Sequence, residues 1–132
     1  MTHWCSLYQD TVVGLRVTTS GKLRIANVNS GKYPTVTFAA DPAQEVDREH
    51  HSWANYFLCG FKGVFDHLRN GGGAPVPQCA GLDVIVDGRV PTGSGLSSSS
   101  ALVCASSLAV MTALGACTRS LACHHHSTGH AR

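Results

Sequence analysis

One stretch of the chain has the residue types and spacing for anion chemistry. Leu82-Asp83-Val84-Ile85-Val86-Asp87 is apolar on alternate positions, as a half-buried strand is, and runs into the glycine-rich loop Gly88 to Gly95. Leu96 and four consecutive serines, Ser97 to Ser100, then open a nearly all-apolar segment, Ala101 to Leu114. Gly93 and Gly95 let the backbone approach an anion closely and adopt dihedral angles closed to other residues. The first turn of the helix that follows leaves up to four N–H groups unpaired, and its dipole adds roughly half a positive charge. Serine hydroxyls can donate to phosphate oxygens or ligate Mg²⁺, a hard cation that prefers oxygen. The expected guest is a polyphosphate. The alternative is a serine-rich N-cap on a buried helix, but four serines in a row exceed what capping requires.

Two other nucleotide motifs are excluded. A Walker A loop needs Gly-Lys-Ser/Thr, and no lysine lies near this loop in the sequence. The dinucleotide fingerprint G-x-G-x-x-G fails because Ser98 stands in the sixth place. A metal reading of the C-terminal tail rests on Cys123, His126 and His130, which are ligand types. Without a helix to carry them or a paired C-x-x-C, they define no site.

The elements that position the loop follow from periodicity. Gln9 to Val17, Lys22 to Val28 and Tyr33 to Ala39 are strand candidates. Gly21 suits a tight turn between the first two, and the three together suggest a meander. A polar stretch from Asp41 then leads into a helix. Its apolar residues Trp53, Phe57, Phe61, Val64, Phe65 and Leu68, with Tyr56 beside them, fall at the 3-and-4 spacing of one face. Taken alone, that stripe is core packing. The helix should stop near Asn70, before Gly71-Gly72-Gly73, with Pro75 and Pro77 preventing resumption. Ala101 to Leu114, apolar all round, reads as a buried helix too short to span a membrane.

Composition bounds the class. The 132 residues suit one domain, and with 43% apolar and 14% charged residues they can build a core. That balance excludes a disordered solvating segment. A formal net charge of +2 gives no electrostatic claim on nucleic acid or a membrane surface. Six cysteines (Cys5, Cys59, Cys79, Cys104, Cys117 and Cys123) could form a disulfide framework in a secreted chain. The first residues carry neither a basic nor an apolar leader region, so the expectation is a cytoplasmic monomer with reduced thiols. Cys59 and Cys104 sit inside apolar helical patterns and are expected to pack as small hydrophobes.

At the loop a family resemblance becomes specific. Pro91-Thr92-Gly93-Ser94-Gly95-Leu96-Ser97-Ser98-Ser99-Ser100-Ala101-Leu102 resembles the second signature of the GHMP kinases. Gln9-Asp10-Thr11, Ile25-Ala26-Asn27-Val28-Asn29, Trp53-Ala54-Asn55-Tyr56 and Val86-Asp87-Gly88 resemble the galactokinases and the related N-acetylgalactosamine kinases. The resemblance implies an α+β fold like the N-terminal domain of those kinases, a mostly antiparallel sheet with helices on one face. It implies that Gly93, Ser94, Gly95, Leu96, Ser97, Ser98 and Ser99 wrap the phosphates of ATP, with Ser99 a ligand of Mg²⁺. Trp53 and Tyr56, one helical turn apart, would line the adenine pocket.

The likeness covers about Gln9 to Gly115. Residues 1–8 and 116–132 match nothing in the family pattern and read as a stub and as a disordered or frame-shifted tail. The family's sugar-binding signature ending in Gly-Glu-His is missing, as is its Gly-Gly-Met-Asp-Gln loop with the catalytic Asp. The expectation is therefore a partial sugar kinase with no catalytic residue of its own. The intact parent would act on ATP and galactose or N-acetylgalactosamine. The rival reading is a nucleotide-binding regulator or truncated product without turnover. Asp83 and Asp87, on the strand before the loop, share a face with Ile85 and are expected to point toward solvent or a neighbouring strand.

Overall fold

The computed structural model describes residues 9–50, 52–71 and 76–115. Four strands and two helices follow one another as β1 (Thr11–Val17), β2 (Lys22–Asn27), β3 (Val36–Ala39), α1 (Trp53–Asn70), β4 (Leu82–Gly88) and α2 (Ser98–Ala113). The third strand starts three residues later than its β-branched composition suggests. Tyr33 and Pro34 belong to the turn that precedes it: the Tyr33 N–H donates to the Asn29 carbonyl at 2.9 Å.

The sheet order is β1-β4-β2-β3, which corrects the expected meander. The first two strands do not pair. Instead β4 returns from α1 and inserts between them, antiparallel to β1 and parallel to β2, while β2 and β3 are antiparallel. The turn at Gly21 exists, with φ +66°, but its hydrogen bonds go to the chain entering β4: Thr18 N–H to Gly81 O and Gly21 N–H to Ala80 O. Local turn chemistry was legible; which strand would fill the gap was not. Two of the three ladders are antiparallel and both helices contribute to a single buried cluster on one face, so the α+β architecture stands.

That cluster joins Leu23 and Ile25 of β2, Leu82, Val84 and Val86 of β4, Val110 of α2, and the α1 stripe Ala54, Phe57, Leu58, Phe61, Val64 and Phe65. Each large side chain so buried contributes about 1.5–3 kcal/mol. The Phe61 and Phe65 rings sit 4.9 Å apart and tilted by 54°, the attractive edge-on arrangement. Helix α1 keeps its expected bounds. Ser52 caps it by accepting from the Ala54 N–H, and Arg69 and His67 lie at its negative end.

The opposite sheet face is polar at its centre. Asp83 stands in register between Arg16 of β1 and Arg24 of β2, 2.5 Å and 3.7 Å from their side-chain nitrogens. The Arg16 hydrogen bond holds the Asp83 carboxyl below the usual carboxylate range. Asp87 lies nearest Arg89, at 3.9 Å. Both carboxylates lie where strand alternation puts them, on the face away from the helices.

Two expectations need correction. Only Ser106 and Val110 of α2 are buried, and Leu108 is 60% exposed, because the helix rests on α1 and β1 while its remaining surface has no neighbour among the described residues. Cys59 and Cys104 are exposed rather than packed, and Cys79 is half-buried. All three are free thiols, and burial pushes the Cys79 thiol up from its ordinary value. Cys5, Cys117, Cys123, His126 and His130 lie outside the described residues.

The helices meet at Gly60. A Cβ there would stand 2.8 Å from Ser106 Cβ and 2.8 Å from the Val103 carbonyl oxygen. Gly63, one turn on, has nothing within 4 Å of the same position. Gly60→Ala should therefore cost about 1–3 kcal/mol by overpacking. Gly63→Ala should instead gain about 0.5–1 kcal/mol from backbone entropy. Urea unfolding of the two variants checks the contrast; equal midpoints would overturn the close approach.

Candidate active site: an aromatic cleft at the start of α2

Between β4 and α2 the chain takes left-handed angles at every second residue: Gly93 at φ +74°, Gly95 at φ +74° and Ser97 at φ 59°. The two glycines adopt these angles at little cost, whereas a serine held there is strained by about 1–2 kcal/mol. Alternation of this kind turns successive backbone N–H groups toward one concave side, a form that suits anions. Ser97 occupies the N-cap position of α2 yet its hydroxyl makes no capping bond. Only the Ala101 N–H returns to the Ser97 carbonyl, at 3.0 Å. Capping is thus not what the first serine does, and the first-turn N–H groups are left open. Ser94 steadies the loop by donating to the Pro91 carbonyl at 2.8 Å.

Beside this helix start lies a shallow cleft of about 90 Å³, open to solvent. Trp53 and Tyr56 of α1, Tyr33 of the β2–β3 connection, and Ser98 and Ser99 of α2 all face it. Thr11, Asn27, Val86, Gly88, Val90, Thr92 and Leu102 complete the wall. The aromatic residues and two of the serines singled out in the sequence, about 45 positions apart, are therefore brought to one concavity. Gly93, Ser94, Gly95, Leu96 and Ser97 form the exposed loop at its edge and do not line it.

The aromatic end is built by hydrogen bonds to backbone. The Trp53 indole N–H donates to the Pro34 carbonyl at 3.1 Å, and the Tyr33 ring leans on Trp53 with centroids 5.7 Å apart and planes at 57°. Asn27 and Asn29 fold the connection back: the Asn29 N–H donates to the Asn27 side-chain oxygen at 2.8 Å, and the Lys32 N–H to that of Asn29 at 3.2 Å. From below, Asn55 donates to the Asp47 and His50 carbonyls and fastens the polar lead-in to α1. The backbone N–H groups of His50 and Glu49 hold the Asp47 carboxyl below its ordinary range. Trp53 is half-buried and Tyr56 36% exposed, so part of each ring surface is free for a ligand.

Sequence reasoning missed Tyr33, and it missed a cation. Lys32 Nζ stands 3.4 Å from Thr92 Oγ1 at the start of the loop, across sixty residues of sequence. The signal for both was present in the turn-forming Asn27-Val28-Asn29 and in Pro34, which together fix where the connection reverses. No Asp, Glu or His lines the cleft among the described residues.

With this geometry in hand, comparison with known proteins identifies the class. The profile of the GHMP kinases N terminal domain matches residues 55–125, more than half of the chain and past residue 115, where the sequence resemblance stops. The chain belongs to that family. Galactokinases are among its relatives: the enzyme of Candida parapsilosis is 39% identical over 106 residues, covering 80% of this chain and 20% of the relative. That of Candida maltosa is 36% identical over 110 residues, covering 83% and 50%. Among solved structures, Lactococcus lactis galactokinase complexed with galactose superposes with a TM-score of 0.54 at 28% identity, over 81% of this chain and 24% of that one. Methanococcus jannaschii mevalonate kinase superposes with a TM-score of 0.60 over 76% of this chain and 29% of that one, and at 16% identity it attests the fold alone. The chain spans a fifth of the Candida parapsilosis galactokinase and half of the Candida maltosa one. No described helix is long and apolar enough to cross a membrane.

Trp53 offers a direct check on the aromatic wall. Trp53→Phe keeps a ring but removes the donor to Pro34, which should cost about 0.5–1.5 kcal/mol, toward the lower end because the bond is exposed. Thermal unfolding at an unchanged midpoint would show that the bond does not hold the connection.

Proposed function

We propose that this chain is the nucleotide-binding portion of a galactokinase-like sugar kinase. In the intact protein it would take Mg-ATP for phosphoryl transfer to the 1-hydroxyl of galactose or N-acetylgalactosamine. The observation that carries the reading is the meeting of Trp53, Tyr56, Ser98 and Ser99 in one cleft at the uncapped start of α2. The donor set fits the guest. The adenine would lie against Trp53 and Tyr56, where stacking contributes on the order of 1–3 kcal/mol per base. The polyphosphate would run to the loop, where N–H groups, hydroxyls and the helix dipole favour negative charge. Bound Mg²⁺ would neutralise charge on the phosphates, with the Ser99 hydroxyl as its protein ligand. Lacking a carboxylate in the lining, the cleft leaves most of the metal's shell to phosphate and water.

The same lining bears on turnover. A general base must reach the sugar hydroxyl, and neither Asp83 nor Asp87 can serve, since both lie on the far face of the sheet and Asp83 is engaged by Arg16. Phosphoryl transfer depends on positioning and charge stabilisation, and the cleft supplies these for the nucleotide only. The chain alone is proposed to bind and not to catalyse.

Calorimetry tests the binding. Ser99→Ala should weaken Mg-ATP several-fold more than metal-free ATP; equal losses would remove the metal role from Ser99. Gly95→Val should abolish both, because its φ of +74° is costly for valine although nothing lies within 4 Å of the added atom. Undiminished affinity in that variant would overturn the loop's role. A separate assay, galactose plus labelled ATP, should yield no sugar phosphate from the 132-residue chain, because lost positioning forfeits roughly 7–11 kcal/mol of barrier lowering. Product above the blank, lost in Ser99→Ala, would contradict the division of labour proposed here.

A further inference from the structure

We infer that Lys32 supplies the cleft with its phosphate-facing cation, a part no residue of the glycine–serine loop provides. The inference rests on the nucleotide reading above. Its ground is where the β2–β3 connection delivers the side chain. Lys32 Nζ lies 3.4 Å from Thr92 Oγ1 and 5.1 Å from the centre of the Tyr33 ring, and both Thr92 and Tyr33 line the cleft. The ammonium therefore stands at the rim, between the aromatic wall and the start of the phosphate loop.

Its surroundings leave that charge uncompensated. Lys32 makes no ion pair among the described residues, and no carboxylate lines the cleft. The other bases near the sheet are engaged or distant: Arg16 and Arg24 flank Asp83 on the far face, and Arg89, next to the lining residues Gly88 and Val90, leans on Asp87. A hydroxyl at 3.4 Å and a ring face orient an ammonium without neutralising it. The backbone behind it is fixed. The Lys32 N–H is held by Asn29, the Asn29 N–H by Asn27, and the Val28 N–H donates to Val86 of β4 at 3.0 Å. Lys32 thus emerges at a set point above the loop, so little extra order is lost when a phosphate oxygen replaces Thr92 as its acceptor. A polyphosphate held by dipoles and hydroxyls alone still carries net negative charge, and a single unpaired amine at the mouth is where that charge would be met.

The test compares Mg-ATP with adenosine, which has the base and ribose but no phosphate, on the full chain and its Lys32→Met and Lys32→Arg variants. Lys32→Met should weaken Mg-ATP roughly tenfold, in line with a charge-assisted hydrogen bond. It should leave adenosine affinity unchanged and flatten the salt dependence of Mg-ATP binding. Lys32→Arg should retain most of the affinity and the salt slope. Undiminished Mg-ATP binding by Lys32→Met would overturn the inference while leaving the cleft's nucleotide role intact. Equal losses for adenosine and Mg-ATP would overturn it too, assigning Lys32 to the packing of Tyr33. Wild-type protein that binds adenosine and Mg-ATP equally or not at all would overturn the nucleotide reading itself, and Lys32's part with it.

Discussion

The close approach of α1 and α2 at Gly60 is the constraint on which the cleft depends. Trp53 and Tyr56 lie one to two turns before Gly60 on α1; Ser98 and Ser99 lie one to two turns before Val103 and Ser106 on α2. At 1.5 Å per residue each group stands roughly 6–12 Å from the crossing. The separation of the rings from the serines is thus set by how near the two axes come. Glycine on one helix and serines on the other bring them near: Ser107 donates weakly to the Gly60 carbonyl at 3.4 Å, while the buried Ser106 hydroxyl is satisfied within α2 by the Leu102 carbonyl at 2.6 Å. A bulkier pair would splay the helices and widen the mouth between the aromatic and serine ends. The site's geometry is decided by small residues two turns below it.

The sheet imposes the second condition. The glycine–serine loop must leave a strand whose end is fixed on both sides, and β4 meets that need by inserting between β1 and β2. Thr11 pairs with Gly88 at one flank, and Asn27 with Val86 at the other, so four cleft-lining residues are locked in register where the loop departs. Arg16 and Arg24 converge on Asp83 three rows below the Asn27–Val86 pair, on the opposite face. The charge cluster straddles the β1–β4 and β4–β2 pairs, and the cleft on the other face stays free of carboxylate.

What the sequence disclosed and what it withheld divide along physical lines. Periodicity and a glycine stop act within a few residues, and α1 lies at Trp53–Asn70 as those signals predict. The loop's glycines take the left-handed angles their composition suggests. Strand order is non-local, so alternation in Lys22–Asn27 identified a strand and could not say that β4 rather than β1 lies beside it. Apolar composition likewise gave α2 as buried, whereas burial needs neighbours, and the described chain supplies them on two sides only. Cys59 and Cys104 were misplaced for the same reason: the helical pattern assigns a helix but not which of its faces is covered. Residue type does not set Ser97 apart from Ser98 and Ser99, whereas its φ of 59° does. Tyr33 and Lys32 carried no motif of their own and became visible once Asn29 had folded the connection back over the loop.

The character of the lining bears on the separation of binding from catalysis proposed for this chain. The polar groups around the cleft are dipoles and hydroxyls, set among rings and the aliphatic Val86, Val90 and Leu102, and the described lining contains no carboxylate and no imidazole. Such a surface favours phosphate without a competing negative charge, which a carboxylate placed to accept a proton would introduce at close range. A kinase needs both, and the two requirements conflict unless the acid–base group enters from another part of the structure, at a distance fixed by its own support. The galactokinase of Candida parapsilosis is about five times longer than the segment matched here. On the reading proposed above, a nucleotide surface of dipoles and one amine would leave the carboxylate to a separate surface, so that neither wall has to hold opposite charges.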